Sequence, residues 1–497
     1  AAGSSLGGSI LKPALILTSG RMLAFGASFF IPVVLARLFT PAEFGTYKQL
    51  FVLVSTLYYG PPLALATSLY FFVPRWPENA GRYVANATAA LVVCGAVCAA
   101  VMVGLSGQIA WVFSNPRLAP HLPALAVYLL AMMVSAPLEI LMVCRERIRW
   151  ASWTFALSDL SRAILLIVPA LLTADLGWLL RGAVAFAVVR CLVLAAYLRK
   201  ELAGGLRLDA GILRTQLAYT LPFGCAVLLA TAQTYFHQVV VAHTFDAATF
   251  AIYSVGCLQI PIVDFVATPA ADVMMVRMGE ALRENRLAAV LAAWRDTVGG
   301  LALLFFPLVG LLVLLAGEII VVLFTASYAA SIPIFVLWST LILLVPIQSE
   351  CVLRAFAKTR AIFVISGLRL LFVAAFIWPC LARFGLLGAV IVTLGGEALG
   401  RGAALWKSRE LLGVGWGRLL PWKELLRLAA AALLALGLAA AAKTLASSHW
   451  TALLVGGTTY VACYWTLARF WGVAPDLLAP LRRRLGWRPA SPAPDVV

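Results

Sequence analysis

The sequence predicts an all-α, polytopic transmembrane protein of about fourteen helices: two parallel six-helix lobes around a central cavity, plus two C-terminal helices. Three observations predict it. First, the chain of 497 residues is 63% hydrophobic and only 12% charged, with a mean hydropathy of +0.97, so lipid must solvate most of it. Second, its basic residues gather in alternate connections between apolar runs. Third, VLARLFTPAEFGTY (Val34–Tyr47) returns about 206 residues later as VVAHTFDAATFAIY (Val240–Tyr253). Val34, Ala36, Phe39, Ala42, Phe44 and Tyr47 recur as Val240, Ala242, Phe245, Ala248, Phe250 and Tyr253.

Apolar runs of about 20 residues place the spans in order. The first six cover roughly 12–38, 47–73, 83–105, 122–144, 152–173 and 177–198. The next six cover roughly 214–243, 247–275, 291–316, 331–354, 360–381 and 384–406, and a final pair lies near 424–443 and 450–470. Leu15–Leu38 is long enough to span and lacks the flanks of a cleavable leader, so it reads as an uncleaved first helix. The stretch 107–121 is the least regular part of the pattern.

Charge asymmetry supports that count. One set of connections carries clusters such as Arg145, Arg147 and Arg149, then Arg354, Lys358 and Arg360, and ends in Arg482–Arg484. The alternate set holds only isolated charges, among them Arg117, Asp175, Asp246 and Glu318. The positive-inside rule then puts both termini in the cytoplasm and requires an even number of spans. The net charge of +17 is therefore dispersed over loops, with no basic patch or stripe for nucleic acid. The nine cysteines fall mostly inside apolar runs without metal-ligand spacing, so neither disulfides, a metal nor a cofactor is expected.

The echo extends through the chain. Pro62, Pro137 and Pro169 have counterparts in Pro269, Pro346 and Pro379. Glu139 with Arg147 and Arg149 resembles Glu350 with Lys358 and Arg360, and Gly177–Val184 is echoed by Gly385–Val390. An even number of spans per half makes the repeats parallel, related by an axis along the membrane normal. The expected organisation is an N-terminal lobe over 1–205, a C-terminal lobe over 206–410, and two added helices with a basic tail over 411–497.

The segment LARLFTPAEFGTYKQL, the basic loop RERIRW (Arg145–Trp150) and the small-residue motifs opening spans six and twelve resemble the oligosaccharide flippases. These are the Wzx-type polysaccharide transporters of the multidrug/oligosaccharidyl-lipid/polysaccharide exporter superfamily. The resemblance covers about residues 10–410, and the last two spans match the fourteen-helix variants. It implies a bacterial inner-membrane transporter that works by alternating access. It also implies a substrate: a polyprenyl-pyrophosphate-linked oligosaccharide (an O-antigen, capsule or exopolysaccharide unit) moved from the cytoplasmic to the periplasmic leaflet. Membrane lipids, H+ or Na+ as coupling ion, and the polymerase and chain-length proteins of a glycan export system are the implied partners.

A charge at bilayer depth costs about 2.5–3.5 kcal/mol on insertion scales, so it usually faces protein or water. Arg21, Arg162, Arg190 and Arg369 lie inside spans one, five, six and eleven, and Arg162 and Arg369 are near-equivalents in the two halves. They form a candidate cationic site for a diphosphate, which Arg binds through planar bidentate donors. The competing reading is that each snorkels or pairs locally, as Arg162 can with Asp159. Asp264, isolated in span eight between Pro261 and Pro269, is a candidate for ion coupling, as are His237 and Asp159. A structural ion pair or a hydrogen-bonding liner is the plainer role for each. Gln233, Tyr235 and Gln238 are a candidate sugar path, or alternatively interhelical hydrogen bonders. Glu139 and Glu350 precede basic loops and are candidate gates with Arg147 or Lys358, or else fixed interfacial pairs.

Two other transporters, a lipid II flippase and a multidrug exporter of the same superfamily, share the expected architecture. The multidrug exporter fits less well, because intramembrane arginines outnumber acids. A membrane glycan polymerase or ligase is the alternative of another class. It would need a sizeable outer catalytic loop, whereas the outer connections are short and carry no nucleotide-binding, metalloprotease or triad motif.

Overall fold

The computed structural model describes Gly26 and residues 29–473, apart from 146, 203–204 and 446–447. The predicted first span, with Arg21, and the basic tail Arg482–Arg484 lie largely or wholly outside the described residues. Among the described residues the protein is helical, with no strand. It opens with α1 (Phe29–Leu38), α2 (Pro41–Tyr59), α3 (Leu69–Arg75), α4 (Ala80–Gly104), α5 (Ser106–Val112), α6 (Leu122–Ser135) and α7 (Pro137–Cys144). Then come α8 (Ile148–Thr173), α9 (Leu176–Glu201), α10 (Ala210–Thr244), α11 (Ala247–Gly256), α12 (Pro261–Arg283), α13 (Leu287–Leu314) and α14 (Ala316–Phe324). The series closes with α15 (Ile332–Ser339), α16 (Ser349–Ala355), α17 (Thr359–Phe384), α18 (Leu386–Leu412), α19 (Trp416–Leu419), α20 (Trp422–Lys443) and α21 (His449–Phe470).

Among the described residues, ten helices are long and apolar enough to cross a membrane, or eleven if α11 and α12 count as one bent span. This is a multi-pass membrane protein, and the helices follow the predicted spans closely. Several predicted spans are interrupted. The 47–73 run breaks between α2 and α3, where Pro61 and Pro62 supply no backbone N–H and Leu63 and Ala64 take positive φ. The 247–275 run breaks between α11 and α12, just before Pro261. The run 331–354 is likewise divided by a 3₁₀ stretch, Thr340–Ile347, that contains Pro346. The irregular 107–121 stretch becomes the short α5 and a 3₁₀ turn, Pro116–His121.

The echo that marked the duplication has a structural meaning. Each copy begins a helix with the same device, a side chain that caps the backbone N–H three residues on. Thr40 caps Glu43 at the start of α2, and Asp246 caps Thr249 at the start of α11. The two helices then pack against each other. A Cβ at Gly45 would collide with the Ala247 carbonyl, so only glycine permits this approach. The buried Phe44, Tyr47, Phe250 and Tyr253 fill the surrounding core. The second echoed motif works the same way, since Gly182 lies against the Leu165 carbonyl and Gly388 against that of Cys380.

Beside this contact sits a pair of matching bonds. Arg37, at the end of α1, donates Nε to the Leu323 carbonyl (3.0 Å) and Nη2 to that of Val322, at the end of α14. Its repeat counterpart His243, at the end of α10, donates Nδ1–H to the carbonyl of Val112, which ends α5 (2.9 Å). Ser114 Oγ returns a bond to the His243 carbonyl. The residues that leave α5 and α14, Ser114 and Thr325, both take positive φ (46° and 99°). Both side chains thus cap helix C-terminal carbonyls that have no partner within their own helix.

The chain divides into two compact units. One comprises Ala1–Phe265, Ile320–Trp338 and Ala357–Ala404. One of its cores joins α3, α4, α7 and α9 through Leu69, Phe72, Val84, Leu91, Leu138 and Leu194. The other unit comprises Val266–Ile319, Ser339–Phe356 and Leu405–Val497. There the alanine stripe of α20 (Ala431, Ala435 and Ala439) packs with Tyr460 and Tyr464 of α21. Tyr464 donates to the Leu303 carbonyl, Trp294 donates to that of Ile347, and Lys443 pairs with Glu318 at 2.7 Å.

Candidate functional site

Within the first unit a cavity of about 630 Å³ is bounded by α2, α3, α6, α7, α8 and α9. Its position follows from the helix stripes: Phe51, Ser55, Tyr58 and Tyr59 share one face of α2 at helical spacing. Seven aromatic side chains line it, namely Phe51, Tyr58, Tyr59, Tyr70, Tyr128, Phe155 and Phe186. Four charged ones complete it: Glu139, Asp159, Arg162 and Arg190. Two arginines and two carboxylates make the lining formally neutral.

The charges are arranged in pairs. Arg190 grips Glu139 bidentately, Nη1 to Oε1 at 2.6 Å and Nη2 to Oε2 at 2.9 Å. Its Nη1 also donates to Ser158 Oγ, and its Nε to Ser135 Oγ at 3.3 Å. Both partners are nearly buried, at 12% and 8% side-chain exposure. The fork geometry and low exposure make this a strong pair by the standards of ion pairs. Arg162 meets Asp159 one helical turn away on α8 at 2.7 Å.

The repeat-equivalent Arg369 on α17 belongs to a second cluster. It pairs with Glu397 of α18 at 2.5 Å, and Arg401, one turn further along α18, donates Nε to the other Glu397 oxygen at 3.0 Å. Gly396 and Gly400 leave the room on α18 in which the Arg369 stem lies. Two arginines share one carboxylate here.

The remaining candidates are dispersed. Gln233 donates to the Ser366 carbonyl, tying α10 to α17, while Tyr235 and Gln238 are half-buried on α10. His237 is buried, its Nδ1 at 2.7 Å from the Tyr253 hydroxyl and its ring against Trp338. Asp264 is exposed in the first turn of α12, with no ion-pair partner among the described residues. The structure gives the two glutamates different partners from the anticipated gates. Glu139 is bound to Arg190, Glu350 meets Arg354 at 3.6 Å in an exposed pair, and Arg145 and Arg147 both meet Glu201. Arg21 lies outside the described residues.

Sequence reading missed the aromatic lining, Ser158, Glu397 and Arg401. The last two carried a signal: an acid and an arginine four residues apart inside an apolar run form a ready helical pair. The tyrosines carried none, since an aromatic in such a run reads equally as core.

Among known structures the fold is similar to a lipid II flippase MurJ in an inward closed conformation, with a TM-score of 0.67 and 12% identity over 93% of this chain and 99% of that one. It is also similar to an inward-facing multidrug resistance MATE family transporter of the MOP superfamily, with a TM-score of 0.62 and 14% identity over 80% and 98%. A third likeness, to a MOP superfamily transporter from Pyrococcus furiosus described as having a binding pocket of reverse polarity, has a TM-score of 0.53 and 13% identity over 81% and 96%. Among curated proteins none matches in sequence. At these identities the structural likenesses establish the fold. The profile of one family does match in sequence, over residues 34–333. The chain is a member of the polysaccharide biosynthesis protein family, with a fold similar to those of the lipid II flippase and the MOP superfamily transporter above.

Proposed function

We propose that this protein is a flippase and not an enzyme. In this reading it carries a polyprenyl-pyrophosphate-linked oligosaccharide from the cytoplasmic to the periplasmic leaflet of a bacterial inner membrane by alternating access. The observation that carries the reading is the cavity. An aromatic, hydroxyl- and carboxylate-lined chamber lies among membrane-spanning helices of a polysaccharide biosynthesis protein. Sugars bring C–H faces that lie on aromatic rings and hydroxyls that donate to carboxylates. The polyprenyl tail needs no such chamber and stays in the bilayer. The two lobes, 1–205 and 206–410, are the bodies that exchange access, and both termini lie in the cytoplasm. A gradient of H+ or Na+ is the proposed drive, with Asp264, His237 and Asp159 as the coupling candidates, and polymerase and chain-length proteins act after export.

Deleting the gene and complementing it with variants tests the reading. Arg162→Ala combined with Arg369→Ala is expected to abolish surface glycan while leaving the protein at normal abundance in the membrane. Normal surface glycan from the double variant would remove the arginines from the transport path.

A second reading is a lipid II flippase, favoured by the likeness to MurJ over 93% of this chain. Complementation of a strain depleted of its own lipid II flippase separates the two. Restored growth would favour peptidoglycan precursor, and unrestored growth with loss of surface glycan in the deletion would favour the first reading. A multidrug exporter is disfavoured by a cavity with as many arginines as acids.

A further inference from the structure

The two charged clusters differ in net charge, and that difference assigns them different work. Arg190 spends its guanidinium on Glu139, Ser158 and Ser135, so four of its five N–H groups are engaged. With Arg162 paired to Asp159, the cavity of the N-terminal half is neutral. An anion entering it would have to break a nearly buried bidentate pair and would meet two carboxylates. Arg369 and Arg401 stand otherwise. They share the single carboxylate of Glu397, giving the cluster one net positive charge. Among the described residues no other acceptor engages either guanidinium, so both Nη atoms of Arg401, with Nε and Nη1 of Arg369, remain available. Both side chains keep partial exposure, 26% and 19%.

We infer that the substrate is divided between two subsites. The aromatic cavity around Tyr58, Tyr128 and Glu139 takes the uncharged sugar, with Arg190 as a positioning residue that orients Glu139 and Ser158. The Arg369–Glu397–Arg401 cluster takes the anionic group, a diphosphate. This rests on the proposed flippase reading and deepens it. Two guanidinium groups, one from α17 and one from α18, that meet on the two oxygens of one carboxylate offer paired N–H forks to the oxygens of a diphosphate. Glu397 is then the resident competitor for those forks, holding them in place and yielding to a doubly charged ligand.

The test uses the full chain in nanodiscs and farnesyl diphosphate, a prenyl diphosphate without sugar, as probe. Arg369→Gln and Arg401→Gln are each expected to weaken its binding by about tenfold or more, as loss of a charged bidentate contact does. Tyr58→Ala and Tyr128→Ala are expected to leave it within about twofold while lowering surface glycan in cells. Glu397→Gln gives the decisive sign. Removing the competing carboxylate should tighten diphosphate binding several-fold, a gain that a misfolded or merely destabilised protein does not produce. Wild-type affinity in Arg401→Gln, weaker binding in Glu397→Gln, or no binding of the probe by the wild type would each overturn the assignment. If the wild-type gene restores surface glycan to the deletion strain while Arg401→Gln binds the probe normally, the two-subsite division falls and the flippase reading stands. If the deletion leaves surface glycan intact, the flippase reading itself falls.

Discussion

At the scale of single residues, the pairing of Arg190 with Glu139 is the costliest feature to disturb. Removing one partner of a nearly buried pair strands the other charge, typically at about 3–5 kcal/mol. Glu139→Gln and Arg190→Gln are therefore each expected to lower thermal stability strongly, and the double variant to be more stable than the sum of the two losses predicts. A double-mutant cycle on purified protein measures that coupling, and strict additivity would count against the pair. The exposed Glu350–Arg354 pair should contribute no more than about 1 kcal/mol, so Glu350→Ala should unfold nearly as the wild type does. Arg162, Arg190 and Arg369 were legible in the sequence because a permanent charge in an apolar run is rare and costly. Arg401 and the partners of Arg190 and Arg369 were not. Glu139 lies 51 residues from Arg190, and only the packing of α7 against α9 decides that they meet, in place of the nearer Arg147.

At the scale of elements, the repeat was legible and its purpose was not. The echoed segments read as two copies of one motif, but their sequence does not say that the copies touch. Gly45 against Ala247 supplies that fact. The Arg37 and His243 bonds to the ends of α14 and α5 then latch one end of the unit from both halves. In the proposed flippase, with both termini cytoplasmic, this is the periplasmic end, and the proposed alternating access would break these bonds at each opening. Arg37→Ala together with His243→Ala is expected to raise labelling of a cysteine placed at Ser55 by an impermeant maleimide added from the periplasm. Unchanged labelling would mean that the bonds do not hold this end shut. Gly45→Val, which forces α2 away from α11, is expected to reduce transport even with both latch residues intact. The interruptions of spans two and eight were only half legible. Pro61, Pro62 and Pro261 mark where a helix loses a backbone donor, but apolar composition runs on unbroken through both sites.

At the scale of the whole molecule, composition and loop charge sufficed to predict a multi-pass helical bundle, because lipid permits few alternatives. The division of its chemistry needed geometry, since a count of arginines cannot show which of them are already satisfied. Alkaline phosphatase fused after the α20 and α21 segments should report opposite sides of the membrane, with the end beyond α21 cytoplasmic; activity there would invert the topology. The central claim, that this polysaccharide biosynthesis protein moves a lipid-linked oligosaccharide across the bilayer, is tested most directly by locating that intermediate in a strain lacking the gene. In intact spheroplasts of the deletion strain, a membrane-impermeant reagent that oxidises sugars should leave the accumulated lipid-linked oligosaccharide untouched, and lysis should expose it. An intermediate that accumulates already accessible from outside would contradict the account, because translocation would then proceed without this protein.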